Sequence, residues 1–382
     1  MKSLFVIAGE ISGDTHGAAL LGAMREHEAI SFAGLGGPMM TEVSAEIENW
    51  LGDAAVLGLW EVLRMYGYFR AKMEETVDRV LESRPDGIIL IDYPGFNLRL
   101  ARRLREANYE GKVIYYISPQ VWAWKKGRIQ TMAELLDLMV CIFPFEKDLY
   151  EESGLPTEFA GHPLVDEMKS LRDPSIERDD TLVALLPGSR EREIAKLFPP
   201  MLDAAKLLSK KRADLSFATT GATPELTGLL REMVGERGLL DRFAVGEETS
   251  HRIMQRAGTG IVASGTATLE AACLGLPYCL TYKVAWLTAQ VARRLMSVDY
   301  LGIVNVMAGR EVVRELLQGE ATGEAMSREI LRLLEDPGAR EELSRGLAEV
   351  VGLLGKGGAH ERAAKAMLDL WEKDAEPGAD VS

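Results

Sequence analysis

Two stretches in the second half of this 382-residue chain have the residue types to hold an anion. VALLPGSREREI (183–194) is a short apolar run, a Pro-Gly turn, and polar residues that open a helix; ASGTATLE (263–270) repeats the plan. A strand that turns through Gly and Ser into a helix presents backbone N–H groups and the positive end of the helix dipole, and both favour phosphate. Ser189 and Arg190 in the first turn, and Ser264, Gly265 and Thr266 in the second, are the candidate contacts. Arg190 adds a forked cation suited to phosphate. The ligand that suits the pattern is a nucleotide diphosphate between two α/β units. The plain alternative is a pair of ordinary strand-to-helix connections with a solvated arginine.

The first half offers carboxylates instead. GIILID (87–92) reads as a buried strand ending in Asp92, followed by Tyr-Pro-Gly-Phe-Asn. The C-terminal end of a parallel strand is where α/β proteins place chemistry. AGEISGD (8–14) is a strand end and a glycine turn with Glu10 in it, and a helix is expected from about Thr15 to Glu28. It lacks the GxGxxG spacing, so it does not argue for a dinucleotide.

The elements that must position these residues follow from periodicity. Apolar runs at 3–8, 31–35, 87–92, 113–117, 139–143 and 157–160 alternate with helical segments, and predict a parallel, doubly wound sheet. Residues 170–180 are polar, contain Pro174, and read as a linker. The alternation resumes with strands at 182–186, 215–219, 243–245, 259–263 and 278–282, and the chain is helical from 322 to 373, with breaks at DPG (336–338) and GKGG (355–358). The expected fold is two Rossmann-like α/β domains facing a cleft, at 1–169 and 180–345, followed by a C-terminal helical segment, 346–373.

Composition narrows the function. A net charge of −14 argues against broad nucleic-acid binding. Cys141, Cys273 and Cys279 lie in apolar runs without a CxxC pair, as expected of free thiols in a reducing compartment. The five histidines are scattered without metal-ligand spacing, so no metal is expected. The start, MKSLFVIAGE, opens directly on a strand and predicts no signal peptide. No run of about 18 uncharged apolar residues occurs, so no membrane-spanning helix is expected. VLGLWEVLRMYGYF (56–69) is apolar on nearly every helical face. Such a helix is core, or touches lipid, here with Arg64, Arg70 and Lys72 as neighbouring cations.

Taken in order, these motifs resemble the lipid-A-disaccharide synthase family. The matching segments are AGEISGD, GLGGPMM (34–40), LIDYPGFN (90–97), YYISPQVWAWKKGR (115–128), FPFEK (143–147), GHPLVDEM (161–168), LLPGSREREI, ASGTATLEA, DYLGIVNVMAGREVVREL (299–316) and GAHERAA (358–364). One departure is Gly95, where many members carry Asp. The resemblance implies the two-domain GT-B glycosyltransferase fold, with the C-terminal helices returning toward the N-terminal domain, and an inverting transfer needing neither cofactor nor obligatory metal. UDP-2,3-diacylglucosamine and 2,3-diacylglucosamine 1-phosphate (lipid X) would give a β-1,6-linked disaccharide 1-phosphate and UDP. It implies a cytoplasmic enzyme peripheral at the inner face of the inner membrane, and it allows a homodimer through the C-terminal segment. Residues 56–69 are the candidate membrane contact.

On that footing an acceptor hydroxyl needs a base, and Asp92 is the first choice, with Glu10 as the alternative or as a positioning group. Ser189, Arg190, Ser264, Gly265 and Thr266 would offset charge on the leaving UDP. Glu270 suits the ribose hydroxyls, or else complements a helix dipole. Asn305 matches a family residue needed for activity and would bind donor or acceptor; its plain reading is a turn asparagine. Trp122 and Trp124 line a substrate site or pack, and His162 reads as packing rather than a base. The competing functions are another UDP-sugar enzyme of the same fold, such as a UDP-N-acetylglucosamine 2-epimerase, and a non-catalytic UDP-sugar-binding protein.

Overall fold

The computed structural model describes residues 1–51, 59–119, 127–283 and 300–375; the side chains of 59–66 and 373–375 lie outside the description. Trp122, Trp124, residues 56–58 and the side chains of 59–66 in the 56–69 stretch therefore fall outside the description. The chain forms two compact units, Met1–Pro163 with Gly355–Ser382, and Leu164–Leu354.

Among the described residues the first unit holds seven strands: β1 (Lys2–Ala8), β2 (Ile30–Gly36), β3 (Ile47–Asn49), β4 (Gly87–Ile91), β5 (Lys112–Tyr116), β6 (Leu138–Cys141) and β7 (Thr157–Phe159). They are joined through α1 (Ile11–His27), α2 (Pro38–Val43), α3 (Leu59–Ser83), α4 (Pro94–Glu106), α5 (Gly127–Leu135) and α6 (Pro144–Glu151). The sheet order is β3-β2-β1-β4-β5-β6-β7, and every pair is parallel. Both faces of such a sheet are covered by helices, so its central strands are apolar throughout rather than alternating. All five residues of β4 are buried.

The second unit holds β8 (Asp179–Leu186), β9 (Ser216–Thr219), β10 (Phe243–Val245), β11 (Ala257–Ala263), β12 (Tyr278–Tyr282) and β13 (Glu315–Leu317). Its helices are α7 (Leu164–Leu171), α8 (Glu191–Lys211), α9 (Pro224–Glu236), α10 (Ser250–Arg256), α11 (Thr266–Cys273), α12 (Ile303–Ala308), α13 (Gly323–Glu335) and α14 (Pro337–Leu353). The order β10-β9-β8-β11-β12-β13 is again wholly parallel. On α8 the buried residues Ile194, Leu197, Phe198, Met201, Leu202, Ala205 and Leu208 recur every three or four positions, which is the stripe that buries a helix on a sheet.

The chain then returns to the first unit as α15 (Ala359–Ala375), which packs on α1. The Trp371 indole donates to Asp86 O at 3.3 Å, Arg362 Nε donates to Ala160 O at 2.8 Å, and His27 meets Glu361 at 2.6 Å. The two Rossmann-like sheets are the architecture expected from the alternation of elements, and the returning C-terminal helix is the one the resemblance implies.

Two local readings change. The first helix begins at Ile11 rather than after Asp14, because the Asp14 carboxylate is buried. It accepts N–H groups from Gly37 (2.7 Å), Met39 (2.9 Å) and Met40 (3.0 Å), so it satisfies the start of α2. At the described end of the 56–69 stretch Gly67 is exposed, while the half-buried Phe69 packs against the core, edge-on to the buried Trp50 with ring centroids 6.1 Å apart. Lys72 is not a free surface cation. It is 8% exposed and paired with Glu48 and Glu75, both at 2.8 Å.

Candidate active site

Sheet order decides what each unit can bring together. In the first sheet the order reverses between β1 and β4, where Ala8 is registered with Ile91. A crevice opens outside the carboxyl ends of the strands at such a switch point. Glu10 follows β1 and Asp92 follows β4, so the topology brings the two carboxylates to one place. Glu10 is exposed and makes no cap bond to α1. Burial, and then the negative charge of Glu10, push the Asp92 carboxyl up from 3.8 to about 6, against a smaller opposing effect of the Tyr93 N–H. A carboxylate tuned to that range is ionised at neutral pH yet more basic than an ordinary aspartate, which suits a general base.

The backbone beneath the pair is unusual. Asp92 and Tyr93 both have left-handed conformations, with φ of 45° and 48°. The Tyr93 ring lies directly against Gly9, where an added Cβ would fall 2.2 Å from it. This close approach requires glycine beside Glu10. Trp50 Nε1 donates to Ala8 O at 2.7 Å, and the Trp50 ring packs on Tyr93 and Phe96. The glycine loop is therefore held from behind by an aromatic cluster. Gly95 is exposed, and a Cβ there would meet nothing within 4 Å, so this position has room for the aspartate that many family members carry.

The second sheet reverses between β8 and β11, where Leu186 is registered with Val262. Both anion turns sit at this switch point: Gly188, Ser189 and Arg190 follow β8, and Ser264, Gly265 and Thr266 follow β11. Ser189, Arg190, Gly265 and Thr266 are exposed, and Ser264 is half-buried. Gly188 has a φ of 109° and Gly265 one of 146°, backbone that favours glycine. The first turn already holds an anion, the Glu193 carboxylate. Its Oε2 accepts the Ser189 N–H at 3.2 Å, and its Oε1 pairs with Arg190 at 2.9 Å. Glu193 went unsingled in the sequence, although its place three residues after the N-cap Arg190 is a capping-box spacing.

Glu270 lies on α11 beyond its first turn, which removes the dipole reading. Its carboxylate meets His251 Nε2 at 3.2 Å, and this bond raises the histidine's pKa. Asn305 is 1% exposed and fully engaged. Its amide nitrogen donates to Val313 O (2.8 Å) and Glu315 Oε1 (2.9 Å), and its oxygen accepts the N–H groups of Val312 (2.8 Å) and Val313 (2.9 Å). Glu315 in turn accepts from the Leu301 and Gly302 N–H groups at 3.0 and 2.9 Å. Asn305 thus ties α12 to residues 312–313 and to β13 rather than presenting its amide outward. In the first unit, His162 packs edge-on against Phe143 at 5.1 Å, and burial lowers its pKa to about 4, as a packing histidine should behave. Among the described residues, no group of three or more His, Cys, Asp or Glu could hold a metal ion.

The family model described as lipid-A-disaccharide synthetase matches residues 4–365. The chain belongs to the lipid-A-disaccharide synthetase family. A relative from Geobacter sulfurreducens, named lipid-A-disaccharide synthase, is 41% identical over 382 residues, covering 97% of each chain. Similar solved structures include the S. aureus MnaA–UDP co-structure, with a TM-score of 0.65 at 15% identity over all of both chains. Another is the UDP-GlcNAc 2-epimerase from Neisseria meningitidis bound to UDP-GlcNAc, with a TM-score of 0.63 at 15% identity, covering 97% of this chain and 100% of that one. At such identity the structural likeness shows the shared two-domain fold and does not favour an epimerase. Family membership makes this chain a glycosyltransferase of lipid A synthesis.

Proposed function

We propose that this chain joins UDP-2,3-diacylglucosamine to 2,3-diacylglucosamine 1-phosphate, with Asp92 as the base. The observation that carries the assignment of the base is the Glu10–Asp92 pair at the switch point of the first sheet, with the Asp92 carboxyl pushed to about 6. Asp92 takes the proton of the acceptor 6-hydroxyl. The hydroxyl oxygen attacks the anomeric carbon from the face opposite the diphosphate, the bond to the diphosphate oxygen breaks, and UDP leaves with the electron pair. The new linkage is inverted, hence β. Glu10 keeps Asp92 basic by charge repulsion.

The UDP-sugar belongs to the second unit. Ser189, Arg190 and the N–H groups of Ser264, Gly265 and Thr266 offset the charge that grows on the leaving diphosphate. Glu193 yields its place to that diphosphate, Glu270 accepts from the ribose hydroxyls with His251 orienting it, and Asn305 acts by holding its loop. Residues 1–169 serve the acceptor and 180–345 the donor. Both substrates carry acyl chains, which supports a cytoplasmic enzyme working at the inner face of the inner membrane through residues 56–69. A homodimer through the C-terminal segment rests on the family resemblance alone.

The test is one assay with purified protein, detergent, both substrates and an Asp92→Asn control. Disaccharide 1-phosphate is followed by mass, together with UDP release. Product from wild type, lost in a folded, UDP-binding D92N, supports the reading. Undiminished product from D92N refutes Asp92 as the base.

A further inference from the structure

Asp92 and Tyr93 adopt left-handed backbone in succession. For residues other than glycine this costs about 1–2 kcal/mol each, and it persists only where surrounding bonds over-determine it. The bonds that do so here converge on the two peptide units that flank the Asp92 Cα. The Asp92 N–H donates to Tyr116 O at 3.1 Å. The Asp92 carbonyl accepts from the Tyr115 phenol at 2.5 Å and from Asn97 Nδ2 at 2.7 Å, and the same Asn97 amide reaches Ile91 O at 3.2 Å. Tyr115 and Asn97 are both 0% exposed, so water cannot replace either donor.

We propose that Tyr115, assisted by Asn97, is a positioning residue for the transfer reaction: the two buried donors clamp the Asp92 carbonyl in the left-handed turn that aims its carboxylate at Glu10. This rests on the reading of Asp92 as the base. The Tyr115 phenol bonds to a main-chain carbonyl and takes no part in proton transfer; it acts only through the direction of the Asp92 side chain. An ordinary extended or helical residue at 92 would send that side chain elsewhere. The ionisable groups acting on Asp92 from its surroundings are Glu10, from the β1–α1 turn, and the Tyr115 phenol itself, on β5, which in turn feels Arg128 at the start of α5. Loss of the clamp therefore lets the Asp92 side chain turn toward water and away from Glu10, and its carboxyl falls toward its ordinary range.

The experiment compares full-length Tyr115→Phe, Tyr150→Phe and Asp92→Asn proteins. Tyr150 is the control for burial: it is also 0% exposed, and its phenol bonds Ser118 Oγ at 2.6 Å rather than the Asp92 turn. Y115F is expected to lose roughly 10–100-fold in kcat, the scale of a small misplacement of a reacting group. KM for the UDP-sugar and the affinity for UDP should stay within about twofold, because the donor contacts are untouched. The acid limb of the kcat/KM–pH profile should move down from near 6. Y150F should keep both kcat and the limb. If Y115F does not fold, Asn97→Ala carries the same readouts. Unchanged kcat and an unmoved limb in the folded clamp variant overturn the proposal, as does an equal loss in Y150F. Full turnover by D92N removes the base reading and the proposal with it. An inactive D92N beside a normal Y115F removes the proposal alone.

Discussion

Asp92→Asn should abolish turnover and at the same time stabilise the protein. The raised carboxyl means that the folded state holds this proton more tightly than the unfolded chain. Below 3.8 the group is neutral in both states and costs nothing; above about 6 it is charged in both, and the folded state bears the full penalty. The gap between 3.8 and about 6 corresponds to about 3 kcal/mol. Partial access of water, and the residual cost of burying an amide, reduce the expected gain in D92N to roughly 1–3 kcal/mol at neutral pH. Urea unfolding followed through tryptophan fluorescence checks it, with wild type and D92N compared at pH values on both sides of the 3.8-to-6 window. The two should be equal in stability at the acid end, separate as pH rises through the window, and differ by a constant amount above it. All other carboxylates titrate alike in the two proteins and cancel. A D92N that is less stable than wild type at neutral pH, or a difference that does not grow through the window, refutes the argument that burial and Glu10 strain this carboxylate.

Three further outcomes follow from the same geometry. Glu193→Gln keeps the size of the side chain but removes the charge that occupies the first anion turn; since an exposed ion pair is worth about 0.2–1 kcal/mol, UDP should bind roughly two- to fivefold tighter by calorimetry. Unchanged or weaker binding would show that Glu193 orients Arg190 instead. Asn305→Ala leaves buried groups of Val312, Val313 and Glu315 without their partner, and should cost about 2–4 kcal/mol in urea unfolding together with loss of UDP affinity. Gly95→Asp puts a carboxylate in the open first turn of α4, and should stabilise by about 0.3–1 kcal/mol at low salt, an effect that added salt removes.

Much of the fold was legible because parallel strands buried on both faces read as unbroken apolar runs, as GIILI and LVALL do. The strands that escaped, Ile47–Asn49 and Glu315–Leu317, are three-residue strands at the edges of the two sheets. Ser12 and Gly13 look like a turn, yet they are helical because Asp14 is spent on N–H groups more than twenty residues away. The same distinction runs through the site. Asp92, Glu10 and the two anion turns could be picked out because strand ends and Gly-Ser turns are local patterns. Tyr115, His251 and the Glu315 partner of Asn305 could not, because each matters through a residue distant in sequence that only the sheet brings near.

The return of α15 to the first unit has a consequence for synthesis. The second unit is one continuous stretch, Leu164–Leu354, whereas the first is completed only by residues after Gly355. On a ribosome adding about 5–20 residues per second, the middle of the chain can reach its final form before the beginning does. Until the last residues emerge, the α1 face that receives them is uncovered, with His16, His27 and the Asp86 carbonyl waiting for His360, Glu361 and Trp371. A message truncated near its end would release a finished second unit attached to an unfinished first one, and the nascent first unit is where a chaperone would find sticky surface.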